Sequence, residues 1–439
     1  MQQIIAPPLS ISPFYWFFGN GIALLLMPLF FLACTEGPGL ETASEQTEAN
    51  WYKGNLHTHT LWSDGDDYPE MVIRWYRDHG YHFLALSDHN ILSEGERWIP
   101  IAHNSGGQAA FERYKATFGA GWVEERVLRD TAWVRLKTFD EYRRLFEVAD
   151  SFLMIRSEEI TDGFNGKPIH VNATNIREYI APQGGESVRD VMQRNVDAVL
   201  AQRDSLDVPM FPHINHPNFG WAVTAEDLAA LEGEQFFEVY NGHPLVRNYG
   251  VAPRPGMERM WDIILTRRLL HGRPLMYGIA VDDSHHYHEI GTFKSNTGRA
   301  WVMVRAPALS AEAIINAMEA GSFYGSTGIT LQELVVDAEG ISLTIDAASG
   351  VSYQTAFIGT EVAHDTTSSA QSVDGEVISR RYSDSVGKTL AIVDGASASY
   401  TFTGDELYVR ARITSTKPKE NPYQAGETEM AWIQPVVVK

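Results

Sequence analysis

From residue 51 onward, short apolar runs alternate with amphipathic stretches, and no other feature of this sequence narrows the choice of fold as far. A strand covered on both faces reads as a short apolar run, and the helix that returns the chain shows apolar residues three and four apart. Asn55-Leu56-His57 opens such a strand; Pro69 then starts a helix with Met71, Val72, Trp75 and His79 on one side, which Gly80 ends. Residues 83–87 (FLALS) read as the next strand. Further along come a helix over 187–203, a strand at 208–212, and a helix capped by Thr224 with Asp227 in capping-box spacing. A strand at 236–240, a helix over 257–271 and strands at 276–281 and 301–305 follow, then a helix over 310–320 closed by Gly321. About seven βα repeats in roughly 270 residues predict an α/β chain closed into a barrel rather than an open sheet.

Residues 94–150 interrupt this rhythm with a Trp- and Arg-rich insertion, expected to flank or cover a site. After about Gly328 the texture changes to alternating strands such as 341–346 (ISLTID) and 407–413 (LYVRARI), which predict a small C-terminal β-sandwich over 328–439. At the other end, residues 14–33 carry no formal charge and read as a signal h-region or a membrane span. This segment ends on Cys34, and Phe31-Leu-Ala-Cys34 resembles a bacterial lipobox, with Phe in place of the usual Leu and no Lys or Arg in residues 1–33. The expected order is therefore a signal, lipoprotein or anchor segment (1–33), a flexible spacer (34–50), a barrel (51–327) and a sandwich (328–439). The expected location is exported, held at the membrane by a lipid on Cys34 or by an uncleaved helix, or free in the periplasm or at the cell surface.

Composition excludes several functions. The 35 basic and 56 acidic residues leave a net charge of -21 with no Lys/Arg run, so no nucleic-acid polymer is expected as a partner. A single cysteine rules out an intramolecular disulfide and a thiolate zinc knuckle, so any metal must be held by imidazoles and carboxylates. There is no Gly-x-Ser-x-Gly elbow either.

Such groups recur at the ends of the apolar runs. His57 and His59 lie two apart in an extended segment and point to one side. Asp64 follows in Ser63-Asp64-Gly65; Asp88 and His89 end the FLALS run; Glu158 and Glu159 follow the run at 152–155. His170 opens another extended segment, His213 and His216 follow the strand at 208–212, and Asp282, Asp283 and His285 follow that at 276–281. Alone, each is an ordinary cap or hydrogen-bonded histidine. Loops at the C-terminal ends of barrel strands converge on one mouth, and six such ends carrying acids and imidazoles point to divalent ions that satisfy them together.

The motifs His57-Thr-His59-Thr60, Ser87-Asp88-His89, Glu159-Ile160-Thr161, His216-Pro217 and Asp283-Ser284-His285 resemble the polymerase and histidinol phosphatase (PHP) metallohydrolases over about residues 51–325. Glu238-Val-Tyr-Asn241, Gly298-Arg-Ala-Trp301 and Ala431-Trp-Ile-Gln-Pro435 resemble its exported, carbaryl-hydrolase-like branch. The resemblance implies a distorted (β/α)7 barrel and two to three divalent ions, for which thiol-free ligation allows Zn, Mn or Fe. It implies His57, His59, Glu159 and Asp283 on a first ion, Glu159, His170 and His216 on a second, and Asp64, His89 and His285 on a third. His213 competes with His216 and Asp282 with Asp283; Glu158 is expected behind Glu159. The implied activity is hydrolysis of a small-molecule phosphoester by a metal-activated water, with no protein nucleophile. Alternatives are hydrolysis of carboxylic esters, carbamates or amides, and a non-catalytic surface protein that binds glycans or a partner.

Overall fold

The computed structural model of the protein describes residues 49–373 and 375–438, so the apolar segment, Cys34 and the spacer up to residue 48 lie outside the described residues. Strand β1 (Asn50–Asn55) leads through a loop to helix α1 (Pro69–Asp78), and β2 (Phe83–Leu86) follows. Proline at the first turn and Gly80 at φ 73° after the last delimit α1 as its sequence requires. The insertion contains β3 (Arg97–Pro100), α2 (Gly107–Phe118), β4 (Glu125–Leu128), β5 (Thr131–Leu136) and α3 (Phe139–Phe146). Its three strands form a separate antiparallel sheet in the order β3-β5-β4. Ile99, Phe111, Tyr114, Val134 and Leu136 of this insertion share a buried cluster with Leu61, Trp62 and Tyr68, so it flanks the loop that carries Asp64.

The chain then returns through β6 (Leu153–Phe164), β7 (Lys167–Thr174), α4 (Val188–Leu206), β8 (Phe211–Ile214), α5 (Ala225–Ala229), β9 (Phe236–Asn241), α6 (Met257–Leu270) and β10 (Tyr277–Val281). The order β10-β9-β8-β7-β6-β2-β1 places these seven strands in one sheet. All neighbours are parallel except β7, which is antiparallel to both β6 and β8. That exception departs from the expected βα rhythm, and its cause is local. Asn165 and Gly166 sit at φ 50° and 76°, the left-handed pair of a tight hairpin, so the chain turns back at once instead of crossing over through a helix. Beyond the ends of β10 and β1, Thr58 bridges Ser284 in parallel, with His59 N–H donating to Ser284 O (3.0 Å) and Asp283 N–H to His57 O (3.1 Å). The two ends of the seven-strand run therefore meet at one rim.

Alternation decides what each strand presents. In β9, Phe237 and Val239 join Val191, Met192 and Val196 of α4 and Trp261 and Ile264 of α6 in one core, while Phe236 joins Phe83, Ala85, Ile155, Phe211, Ile279 and Val281 in a second. Members of this second core precede rim residues at even spacing: Ile155 before Glu159 on β6, Phe211 before His213 on β8, and Val281, the last residue of β10, before Asp283.

After β10 come β11 (Trp301–Ala306), α7 (Ala311–Glu319), β12 (Phe323–Ser326), β13 (Leu331–Val336), β14 (Gly340–Ile345) and β15 (Tyr353–Glu361). The rest is β16 (Ser368–Val373), β17 (Glu376–Tyr382), β18 (Lys388–Asp394), β19 (Ser397–Thr401), β20 (Glu406–Pro418) and β21 (Thr428–Val437). The large sheet continues from β1 through β11-β12-β21-β20-β15-β18, so it runs unbroken across the position near Gly328 where the texture of the sequence changes. A second sheet, β13-β14-β19, faces it over a core that includes Leu331, Ile341, Leu343, Phe357, Val409, Ile413, Ala431 and Ile433. Among the described residues no helix is long and apolar enough to cross a membrane.

Candidate metal centre

All nine histidines and carboxylates singled out as ligands converge at the rim where β1 and β10 meet. Glu159 lies at the middle of them and is fully buried. Its Oε1 is 2.9 Å from His170 Nδ1, 3.4 Å from His216 Nε2 and 3.4 Å from His57 Nε2, and its Oε2 is 3.3 Å from His59 Nε2 and 2.7 Å from His89 Nδ1. Asp283 Oδ1 is 3.3 Å from both His57 Nε2 and His59 Nε2 and 3.6 Å from His285 Nδ1. Asp64, half exposed on its loop, completes the outer side: its oxygens are 3.3 Å from His285 Nε2, 3.5 Å from His89 Nε2 and 3.6 Å from His59 Nδ1. Five ligand-sized groups occur among the described residues: His59/Asp64/His89/His285, His57/His59/Glu159, His57/His216/Asp283, His89/Glu159/His170 and, with a histidine and a carboxylate outside the nine, His57/His213/Glu238.

Two strained backbones aim these side chains. His216 and Asp283 have φ of 24° and 50°, conformations that non-glycine residues adopt at a cost and that surrounding structure must hold. Pro217 follows the first; the second is fixed by the Asp283 N–H bond to His57 O at 3.1 Å.

The competing pairs separate cleanly. Asp282 points away from the rim, accepting from the N–H groups of Gly298 (2.8 Å), Arg299 (2.6 Å) and Ala300 (2.8 Å) and from Tyr76 (2.8 Å), so it anchors a loop. Glu158 does not stand behind Glu159 as expected. Adjacent residues of a strand face opposite sides, and Glu158 accepts from Ile180 N–H (2.7 Å) on the other face of β6. Asp88 receives Thr60 N–H, Thr60 Oγ1–H and Ser63 Oγ–H at 2.8, 2.8 and 2.6 Å, fixing the Asp64 loop. His213 lies deeper than His216, with Nε2 3.3 Å from Glu238.

Glu238 is the principal residue that the strand-end reading left without a role. It is fully buried; Oε1 lies 2.6 Å from His57 Nδ1, while Oε2 accepts His216 N–H (2.7 Å) and Asn241 Nδ2–H (2.8 Å). Asn241 also donates to Asp283 (3.0 Å), and Asn215 to Glu159 (2.7 Å). His243 is a further imidazole at the rim, its ring 5.5 Å from that of His285 and 5.8 Å from Phe219.

The donor set suits cations. Glu238 lies 2.6 Å from His57 Nδ1 and so directs His57 Nε2 at His59 Nε2, 3.1 Å away, an approach of two imidazole nitrogens that a proton or a shared cation reconciles. Glu159 Oε2 is buried without a hydrogen-bond donor, with His89 Nδ1 2.7 Å away but paired to Thr161 Oγ1 at 2.5 Å. Burial opposes charge on Glu159, yet His89, His170 and His57 hold its carboxyl well below the ordinary range. Burial, together with His285 and His89, pushes the His59 imidazole down to about 3, and burial holds His243 down to about 4. Burial opposes charge on His57 and His89 as well, yet Asp283, Glu238 and Glu159 hold His57 well above its ordinary value, and Glu159 and Asp64 raise His89 to about 11, so a cation would have to displace those protons to be ligated.

No protein-family model and no curated protein matches this chain. Among solved structures it is similar to a two-domain protein from Bacteroides vulgatus containing a predicted PHP-like metal-dependent phosphoesterase, at 14% identity and a TM-score of 0.38 over 88% of this chain and 96% of that one. A protein from Bifidobacterium adolescentis described as a proposed metal-dependent phosphoesterase matches 55% of this chain and 89% of its own length (12% identity, TM-score 0.28). An amidohydrolase from Chromobacterium violaceum, solved with sulfate and no metal, matches 53% and 87% (12%, 0.26). The side chains at the rim decide what the site can do.

Proposed function

We propose that this protein is a metal-dependent hydrolase of small phosphoesters, built on a distorted β/α barrel of the PHP kind and holding two to three divalent ions. The observation that carries this reading is Glu159, a buried carboxylate set among five histidine nitrogens with one oxygen left without a donor. Divalent ions there would activate a water as nucleophile and polarise the scissile group. His57, His59, Glu159 and Asp283, then His170 and His216, then Asp64, His89 and His285 would hold them. Glu238 keeps the proton of His57 on Nδ1, Asn241 ties Glu238 to Asp283, and Asn215 orients Glu159. Asp88 holds the loop that brings Asp64 to the rim.

The second reading, a hydrolase of carboxylic esters, carbamates or amides in the manner of the carbaryl-hydrolase-like branch, draws support from the wall of the mouth. Phe219 lies 5.0 Å from His216, 6.3 Å from His170 and 5.8 Å from His243, ring to ring. No Lys or Arg among the described residues pairs with any of the nine ligands. An apolar wall suits an uncharged acyl group better than a phosphate. The protein is also proposed to be exported and anchored at Cys34.

Metal analysis of Thr47–Lys439, joined to a screen of phosphomonoesters, phosphodiesters and carboxylic esters, tests the reading. Bound Zn, Mn or Fe with turnover abolished by a chelator and restored by metal is the expected result. His57→Ala or Glu159→Gln should lower both metal content and rate by orders of magnitude. Full metal loading with no turnover of any ester favours a binding protein instead.

A further inference from the structure

The rim carries one imidazole that none of the candidate metal groups uses, and the hydrogen bonds around it fix what it can do. We propose that His243 is a catalytic residue that donates its Nε2–H to the substrate oxygen on which negative charge grows during hydrolysis. The proposal rests on the hydrolase reading above.

His243 follows β9 by two residues, and its backbone is built into the frame of the site. Its N–H donates to Asn241 Oδ1 (2.8 Å), and the amide of the same asparagine donates to Glu238 (2.8 Å) and Asp283 (3.0 Å). The preceding residue is clamped too: Gly242 O accepts from the buried Arg299 guanidinium (2.6 Å), and a Cβ on Gly242 would meet Asp282 O at 2.7 Å. The ring therefore hangs from two fixed points, one of them shared with a candidate ligand.

The tautomer follows from a third contact. Leu245 N–H donates to His243 Nδ1 at 3.2 Å, so Nδ1 is an acceptor and the proton of the neutral ring sits on Nε2. That N–H has no protein acceptor among the described residues, in a side chain only partly exposed and set edge-on to His285 and Phe219. A rigid neutral donor beside a cation-binding cluster suits an acyl or phosphoryl oxygen that gains charge as water attacks. The proton stays on the nitrogen throughout; the hydrogen bond strengthens as the oxygen becomes more negative, which raises kcat more than it lowers KM. Phe219 closes the same side, so the group that approaches His243 does so along an aromatic face.

The experiment uses the full chain in detergent with metal content measured on every sample. Rates for p-nitrophenyl phosphate and p-nitrophenyl acetate are compared for wild type, His243→Ala and His243→Gln, and inorganic phosphate binding is titrated in parallel. The expected result is a loss of about 100- to 1000-fold in kcat for His243→Ala at unchanged metal content. His243→Gln, whose amide N–H can reach the same oxygen, should recover at least about tenfold, and phosphate binding should weaken about tenfold in the alanine variant. The substrate that shows the loss identifies the oxygen as phosphoryl or acyl. An alanine variant with wild-type rate and phosphate affinity overturns the role of His243 while leaving the hydrolase reading intact. Metal loss in that variant overturns it as well, by making His243 a ligand. If wild type is fully metallated and inactive on both esters, the hydrolase reading fails, and unchanged phosphate binding in the alanine variant then also removes the proposed donor.

Discussion

Glu238→Gln tests the frame beneath the metal centre, because it keeps the shape of the side chain and removes only the charge and one acceptor. Glu238 receives two donors on each oxygen: His57 Nδ1 and, more distantly, His213 Nε2 on Oε1, and His216 N–H and Asn241 Nδ2–H on Oε2. A glutamine amide offers one acceptor and one donor. With its oxygen kept toward His216 and Asn241, its NH2 faces His57, whose proton must move to Nε2. That is the nitrogen lying 3.1 Å from His59 Nε2 and 3.3 Å from Asp283. With the amide reversed, His216 N–H and Asn241 lose their acceptor, and Asn241 cannot flip to compensate because its oxygen already receives His243 N–H. Either way the charge-assisted bonds to the carboxylate are lost, and the reversed amide also leaves buried donors unpaired, a cost of about 2–4 kcal/mol. The first orientation also protonates a ligand atom, so metal affinity should fall about 10- to 100-fold. Chelator competition and thermal denaturation, each with and without added metal, read these two effects separately. Metal affinity and melting temperature both indistinguishable from wild type would refute the role given to Glu238 and the His57 tautomer derived from it.

Asp262→Asn should cost about 2–3 kcal/mol in urea unfolding, because the buried Arg410 guanidinium, bonded at 2.8 Å to each carboxylate oxygen, loses that partner and keeps only Glu258 at 3.5 Å. Burial raises Asp67 from 3.8 to about 7, so the folded protein keeps a proton there that the unfolded chain has released, and this contribution to stability declines as pH rises from about 4 to 7. Asp67→Asn should therefore stabilise relative to wild type above pH 7 and change little near pH 4; equal effects at both pH values would contradict the assignment. Ending the chain near Gly328 should leave all nine ligands but strip β21 from β12, giving an insoluble or strongly destabilised protein, read by solubility and melting. Cys34→Ser in the full chain should release the protein from membranes in fractionation if a lipid anchors it, whereas unchanged retention indicates an uncleaved helix.

The cluster of acids and imidazoles was legible in the sequence because strand ends in a β/α fold converge, and because these residues sit where apolar runs stop. The helices were legible through their ends: Pro69 and Gly80 bound α1, Thr224 and Asp227 form the capping box of α5, and Ser187 accepts Asp190 N–H at the start of α4. What escaped was set by distance along the chain. Glu238 lies inside β9 rather than at its end, and its partners His57 and Asp283 are far away in sequence, so only the alternation of Phe236 and Glu238 with Phe237 and Val239 hinted at an inward carboxylate. Strand β8 begins at Phe211, three residues later than its apolar run suggested, because pairing with β7 through Phe211–Thr174 and Ile214–Val171 sets its register. Two local signals were present and went unused. Asn165-Gly166 between extended segments encodes the β6–β7 hairpin, and the adjacency of Glu158 and Glu159 in a strand already requires that they face opposite sides.

The C-terminal strands bear on the chemistry without supplying a ligand. Gln434 of β21 donates to Gly278 O (2.8 Å) and accepts Gly278 N–H (2.9 Å), so it grips β10 three residues before Val281, where the Asp283-Ser284-His285 turn begins. Tyr240 of β9, next to Asn241, has its hydroxyl held by Lys419 (2.6 Å) and Glu427 (3.2 Å) from the segment joining β20 to β21. Asp262 and Arg410 tie α6, which packs on β9 through Trp261 and Phe237, to the neighbouring strand β20. The strands that deliver Glu238, Asn241, Asp283 and His285 are thus fixed from behind by the C-terminal layer. Metal sites tolerate errors of only a few tenths of an ångström in donor position. A backbone held at φ 50° at Asp283 persists only if its surroundings enforce it. The continuity of one sheet from β10 round to β18 is therefore part of what holds the geometry of the candidate metal centre, and changes at Gln434 or Lys419 should register first as altered metal affinity, if the proposed ions bind there, rather than as altered substrate contact.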